Sequence, residues 1–221
     1  MLAKEIISDV VPALHTSDTG IQALTWMYIF RISHLPIVNN QDFLGLISDK
    51  DIYDLNMAEE PIVNHKLSLF SPHIRYDQHI YEVIEIVSRL KLTVVPVLDD
   101  NNHYLGLITL TDLIEKFAEL SALKHHGGII VLELNNNDYT LTQIAQIVEG
   151  NDAKILSLYV SASDDSMKMN LTLKVSVTDI SAIIQTLNRY NYVIKASYLE
   201  EENLDAMYQS RYESFMRYLN V

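Results

Sequence analysis

Two short stretches pair a hydroxyl with an acid at the same spacing. Gly45-Leu46-Ile47-Ser48-Asp49-Lys50-Asp51 recurs as Gly106-Leu107-Ile108-Thr109-Leu110-Thr111-Asp112. An apolar strand that ends in a hydroxyl, followed by a helix start with a carboxylate three residues on, builds a compact polar notch. The hydroxyl and the free N–H groups of the helix start suit a phosphate or a hydroxyl, and the carboxylate can accept two hydrogen bonds from a ribose diol. Apolar strands beside it could hold a purine ring. The same four residues also read as a capping box, with Ser48 or Thr109 as N-cap and Asp51 or Asp112 as the acid that answers it. Repetition does not separate the two readings, because a repeated fold repeats its caps. No Ser-His-Asp order with an elbow motif, no glycine-rich phosphate loop and no His-Glu-x-x-His is present, so a catalytic role is not expected. His125-His126 reads as solvated linker rather than a metal site.

The elements that must position these notches are themselves duplicated. Pro12 and Pro36 return as Pro72 and Pro96, 60 residues later, while Gly45, Ser48 and Asp51 return after 61. The slip falls in the polar turn between two apolar runs, where an insertion costs little. In the first copy, Thr16-Ser17-Asp18 reads as an N-cap, and Ile21, Leu24, Met27, Tyr28 and Ile32 predict an amphipathic helix over 19–33. Leu35–Val38 and Phe43–Ile47 predict a hairpin, and Ser48 opens a second helix to about Met57. The second copy repeats the order: a helix from Asp77, strands at 94–98 and 104–108, and a helix from Thr109 to about Leu120. Beyond His126-Gly127-Gly128 the pattern changes to β-α-β-β-α-β, with Asp138-Tyr139-Thr140 before its first helix. A tail helix after Glu200 places Leu204, Tyr208, Tyr212, Phe215 and Leu219 on one stripe, a plausible dimer or target contact.

Composition bounds the partners. The 221 residues are 48% hydrophobic, hold no cysteine and carry a formal charge of −13. Disulfides and thiolate chemistry are excluded, and a reducing cytoplasm is the expected location. The acidic balance argues against nucleic acid and against an acidic membrane surface as partners. No apolar run approaches the roughly 18 residues that span a bilayer.

His34-Leu35-Pro36-Ile37-Val38 with Phe43 to Ile52, and Thr93-Val94-Val95-Pro96-Val97-Leu98 with Tyr104 to Leu113, resemble the signature of the CBS domain, present in tandem. The resemblance implies an α/β (α+β) fold in which two domains, 1–60 and 61–121, form a pseudo-twofold pair. It implies that their clefts take adenosine-containing ligands: AMP, ADP, ATP or S-adenosylmethionine. Carried over, Ser48 and Asp51 would serve one cleft, and Thr109 and Asp112 the other. Arg31 and His34 would supply positive charge to the first; the second has Thr93 and Val94 at the matching place. The segment 128–199 resembles an ACT domain of ferredoxin-like βαββαβ order, followed by a C-terminal helix over 200–221. It lacks a glycine in the turn before its first helix, so sheet pairing between subunits is expected there rather than amino-acid sensing. The whole arrangement is similar to the acetoin-utilisation regulatory protein family. These resemblances imply a homodimeric regulatory protein acting on an unidentified protein target, with no required cofactor beyond the regulatory ligand, no metal and no catalysis. The alternatives are a ligand-free structural or interaction dimer and, least favoured, an enzyme acting on a nucleotide.

Overall fold

The computed structural model describes residues 1–54, 59–64, 71–137, 140–199, 212, 215 and 216. The chain divides into two compact units, Met1–Phe117 and Ala118–Val221.

The first unit contains both repeats as far as Phe117 of the last helix, each repeat a helix, a three-stranded sheet and a second helix. In the first repeat, β1 (Leu14–His15) lies parallel to β2 (His34–Asn39), which pairs antiparallel with β3 (Asp42–Ser48). Helix α1 (Gly20–Phe30) precedes β2, and α2 (Asp49–Asp54) follows β3. The second repeat gives β4 (Ile74–Arg75), α3 (Ile80–Leu90), β5 (Val94–Leu98), β6 (Tyr104–Thr109) and α4 (Leu110–Leu120), with the same strand order. Backbone details repeat as well. Arg31 and Lys91 end α1 and α3 in the left-handed region, at φ 57° and 56°. Gly45 and Gly106 sit at φ 151° and 150°, a conformation that side chains rarely tolerate.

Two helix starts differ from expectation. Asp18 turns its carboxylate back to the His15 N–H at 2.7 Å, so Thr19 caps α1 by accepting the Gln22 N–H at 3.3 Å. Asp77 is held by Arg75 at 3.1 Å, and His79 caps α3 with Glu82 answering its N–H at 3.2 Å. The expected extension of α2 to Met57 lies outside the described residues.

Each repeat is completed by the segment that precedes the other. A 3-10 turn at Ala3–Glu5 docks on the second repeat: Ala3 N–H donates to Gln78 O at 2.9 Å, Lys4 N–H to Tyr76 O at 3.1 Å, and Ser8 N–H to Leu107 O at 2.8 Å. The matching turn, Ile62–Asn64, returns to the first repeat, with Ile62 N–H donating to Asp18 O at 2.8 Å. Ala3, Ile6 and Ile62 are buried in one core with Leu14, Leu35, Ile47, Ile80, Val95 and Ile108. Burial of such side chains contributes about 1.5–3 kcal/mol each, so neither repeat closes its core unaided.

The second unit runs β7 (Ile129–Asn135), α5 (Leu141–Glu149), β8 (Ile155–Ala162), β9 (Lys168–Val175), α6 (Ser181–Arg189) and β10 (Val193–Tyr198). The sheet is antiparallel throughout, in the order β10-β7-β9-β8. Ile130, Leu132, Leu171 and Leu173 alternate onto one face and bury against Ile144, Val148, Ile183 and Leu187 of the helices. Gly127 and Gly128 lead into β7, and a Cβ on Gly127 would collide with the Val175 carbonyl. Asp138 and Tyr139, and the C-terminal helix expected over 200–221, lie outside the described residues apart from Tyr212, Phe215 and Met216, whose side chains are exposed.

Candidate functional site

The two notches form where β3 meets α2 and where β6 meets α4. In the first, the Ser48 hydroxyl donates to Asp51 Oδ2 at 2.7 Å, and the Ser48 N–H donates to the same oxygen at 2.8 Å. The Asp51 N–H donates back to Ser48 Oγ at 3.2 Å. In the second, the Thr109 hydroxyl donates to Asp112 Oδ2 at 2.7 Å, and the Asp112 N–H donates to Thr109 Oγ1 at 3.1 Å. Hydroxyl and acid are therefore brought together in both copies, and the first completes the reciprocal pattern of a capping box, whereas in the second, among the described residues, Asp112 takes the Thr109 hydroxyl alone. Each acid leaves Oδ1 without a partner among the described residues. The copies differ in access: Asp51 is exposed, whereas Asp112 is half-buried beside Thr109, which is 8% exposed.

His34 stands directly across the hairpin from Ser48 in the strand register; the equivalent neighbour of Thr109 is Val94. The imidazole does not stand free beside the first notch. Its Nδ1 lies 3.0 Å from Thr93 Oγ1 and accepts the Thr93 N–H at 3.4 Å, while the Ser33 N–H donates to Thr93 Oγ1 at 3.0 Å. Burial pushes the ring below its ordinary imidazole value, and Asp49 and Asp51 only partly oppose that. At neutral pH the ring is an uncharged donor through Nε2, not the cation expected from the sequence. Arg31 is exposed at the end of α1, its guanidinium 5.0 Å from the centre of the Tyr28 ring.

Sequence reasoning missed Ser33, and it named Thr93 only for its place in the second copy, without the role that its contact with His34 gives it. Ser33 and Thr93 occupy matching places just before the two central strands, a polar pair 60 residues apart that the repeat alignment already contained. In the second unit, a cavity of about 300 Å³ is lined in part by Glu133, Gln143, Lys168 and Tyr192. Its polar groups pair with one another, Lys168 to Glu133 at 2.7 Å and the Tyr192 hydroxyl to Gln143 Oε1 at 2.7 Å. Among the described residues no group of three or more acidic or histidine side chains is arranged to hold a metal ion. No helix among them is long and apolar enough to cross a membrane.

The family model of the CBS domain matches residues 3–58 and again 60–119, more than half of the chain and both copies of the notch. The chain belongs to the CBS-domain family. Its CBS pair is 33% identical over 132 residues to inosine-5′-monophosphate dehydrogenase of Bacillus subtilis (strain 168), a match covering 55% of this chain and 26% of that enzyme. The corresponding enzyme of Methanocaldococcus jannaschii is 27% identical over 131 residues, 59% of this chain and again 26% of the relative. The chain thus spans about a quarter of the length of these curated relatives, and the likeness is to their CBS regions. Among solved structures, a CBS domain pair/ACT domain protein from Thermotoga maritima superimposes with a TM-score of 0.48 at 21% identity, covering 54% of this chain and 98% of that one. A CBS domain pair in complex with methylthioadenosine and S-adenosyl-L-methionine gives 0.43 at 24% identity, covering 54% and 97%.

Proposed function

We propose that the CBS pair is a regulatory module that binds an adenosyl ligand, an adenine nucleotide or S-adenosylmethionine, and that the first notch takes its ribose. The observation that carries this reading is the exposed Asp51 carboxylate, whose Oδ1 is unspent and whose Oδ2 is fixed by Ser48. A carboxylate held this way presents a preorganised acceptor to a diol without a rotamer search. The second notch, with Thr109 buried and Asp112 half-buried, admits a ligand only if that corner opens. The neutral His34 donor and the absence, among the described residues, of a cation contact at Ser48 favour the nucleoside part over a tightly held phosphate.

The second unit reads as an ACT-like domain on its β-α-β-β-α-β order, and the whole as similar to the acetoin-utilisation regulatory proteins. Its edge strand β8 carries exposed Tyr159 and Val160, which suits pairing with a second copy. The outward faces of α1 (Ile21, Tyr28, Ile29) and α4 (Ile114, Phe117) offer further apolar contact for a homodimer. A ligand that prefers one arrangement of the pair would act through that dimer on a protein target, without chemistry of its own. In both notches the acid's Oδ2 is engaged by its own hydroxyl, which favours a second reading, a CBS pair whose clefts stay empty and which serves as an interaction dimer.

Thermal shift with AMP, ADP, ATP and S-adenosylmethionine separates the two. A ligand bound to the native state at about 100 times its Kd stabilises it by roughly 2.7 kcal/mol. Asp51→Asn keeps an acceptor for Ser48 but removes the charge, and it should abolish the shift while Asp112→Asn leaves most of it. No shift with any compound, or a shift indifferent to Asp51→Asn, overturns the proposed site.

A further inference from the structure

We propose that Ser33, His34 and Thr93 form a proton-operated clasp across the seam between the two CBS motifs, closed while the His34 ring is neutral and opened when Nδ1 takes a proton. The clasp stands apart from any ligand and does not depend on either notch being occupied.

Hydrogen-bond roles around the seam are fixed by what each group can do. A backbone N–H can only donate, so the Thr93 N–H, 3.4 Å from His34 Nδ1, requires a lone pair there. Thr93 Oγ1 accepts the Ser33 N–H at 3.0 Å, which leaves its own hydroxyl proton to point at Nδ1, also 3.0 Å away. The neutral ring must then carry its proton on Nε2. A second proton, on Nδ1, would face two donors. The Thr93 hydroxyl can turn and accept; the Thr93 amide cannot. Protonation therefore strips one backbone donor of its partner in a half-buried site, a loss that only opening to water relieves.

The charged groups acting on the ring are Asp49 and Asp51 of α2, which favour the protonated form. From β3 the ring faces Ser48, and from β5 it meets Thr93; neither titrates in this range. Arg31, at the end of α1, lies over Tyr28. Burial outweighs the two carboxylates, so the clasp is closed at neutral pH and the transition lies on the acid side of an ordinary histidine.

Opening would reach both notches together. The Ser33 carbonyl accepts the Asp49 N–H at 3.1 Å, and the Thr93 carbonyl accepts the Leu110 N–H at 3.0 Å. Those are the first residues of α2 and α4, the helices whose starts carry Asp51 and Asp112. One protonation event thus loosens the seats of both helices.

The test is site-resolved NMR on the full chain, titrated from about pH 8 to about pH 5. The neutral His34 ring should show the Nε2–H tautomer. Corrected for intrinsic exchange, protection of the Thr93 amide should fall by up to about tenfold per pH unit between about pH 6.5 and the ring's own midpoint and level off below it, while the Ile37 and Val97 amides of the same strands hold. His34→Asn, whose Oδ1 accepts but does not titrate, should make Thr93 protection independent of pH. A Thr93 amide whose protection is constant over this range in the unmodified protein overturns the clasp, as does a neutral ring protonated on Nδ1 or an equal loss in His34→Asn. The first two readouts need no variant, so a misfolded variant leaves the test intact.

Discussion

Gly106→Ala should cost the first unit more than its one added methyl would imply, through two separable effects. At φ 150° an alanine is forced into backbone space that only glycine occupies comfortably, a penalty of about 1–3 kcal/mol. The new Cβ would also collide with the Cγ2 methyl of Ile7, which arrives with the N-terminal segment that bonds to Leu107. Overpacking of this kind costs about 1–3 kcal/mol. The sum is about 2–6 kcal/mol, and the thermal midpoint should drop by on the order of 10 °C. Ile7→Ala separates the effects, because it removes the colliding methyl and leaves the backbone strain. In a double-mutant cycle read from urea unfolding, the pair should be coupled by about 1–3 kcal/mol in the direction of rescue, with a residual deficit from φ alone. The reasoning fails if Gly106→Ala unfolds within about 0.5 kcal/mol of the parent, or if the two substitutions simply add within the same margin.

Ile62→Ala should destabilise the protein by about 2–5 kcal/mol, since Ile62 is fully buried. Its turn bonds to Asp18 of the first repeat, so hydrogen exchange should rise at the start of α1 before it rises in α3. Stability should also fall on acidification through His34. The folded ring sits below 6.5, so the unfolded chain binds the proton first; stability is full above about pH 6.5 and declines until the folded value is passed. Urea midpoints for the parent and His34→Asn at about pH 7.5 and about pH 5 check this, the variant lacking that part of the decline.

How much of this was legible follows from what a sequence pattern can carry. Both hairpins and both hydroxyl–acid notches were readable, because Pro36 and Pro96, Gly45 and Gly106 keep one spacing and each apolar run is long enough to show itself. The two-residue strands β1 and β4 were not, since two residues have no period. Helix starts were displaced for a local reason: Asp18 and Asp77, good caps by type, were taken by His15 and Arg75, and the next able side chains replaced them. The exchange of entry segments between the repeats was illegible, because backbone hydrogen bonds such as Ala3 to Gln78 leave no mark on residue type.

The candidate site divides along the same line. Ser48 with Asp51 and Thr109 with Asp112 are local pairs, three residues apart, and spacing alone brings them together. The role of His34 is not local. Read next to Ser48, it is a cation for an anionic ligand; seen against Thr93, 59 residues away, it is a neutral acceptor that joins two motifs. The duplicated frame offers two equivalent places for such a contact, at 34 toward 93 and at 94 toward 33. Valine at 94 has nothing to accept with, so the seam has one polar clasp where twofold symmetry would allow two. The first notch is thus exposed and stands across the hairpin from a titratable ring, while the second is half-buried across from a hydrocarbon. Equal treatment of the two clefts, natural from the repeat alone, is therefore the wrong starting point for any ligand experiment on this chain.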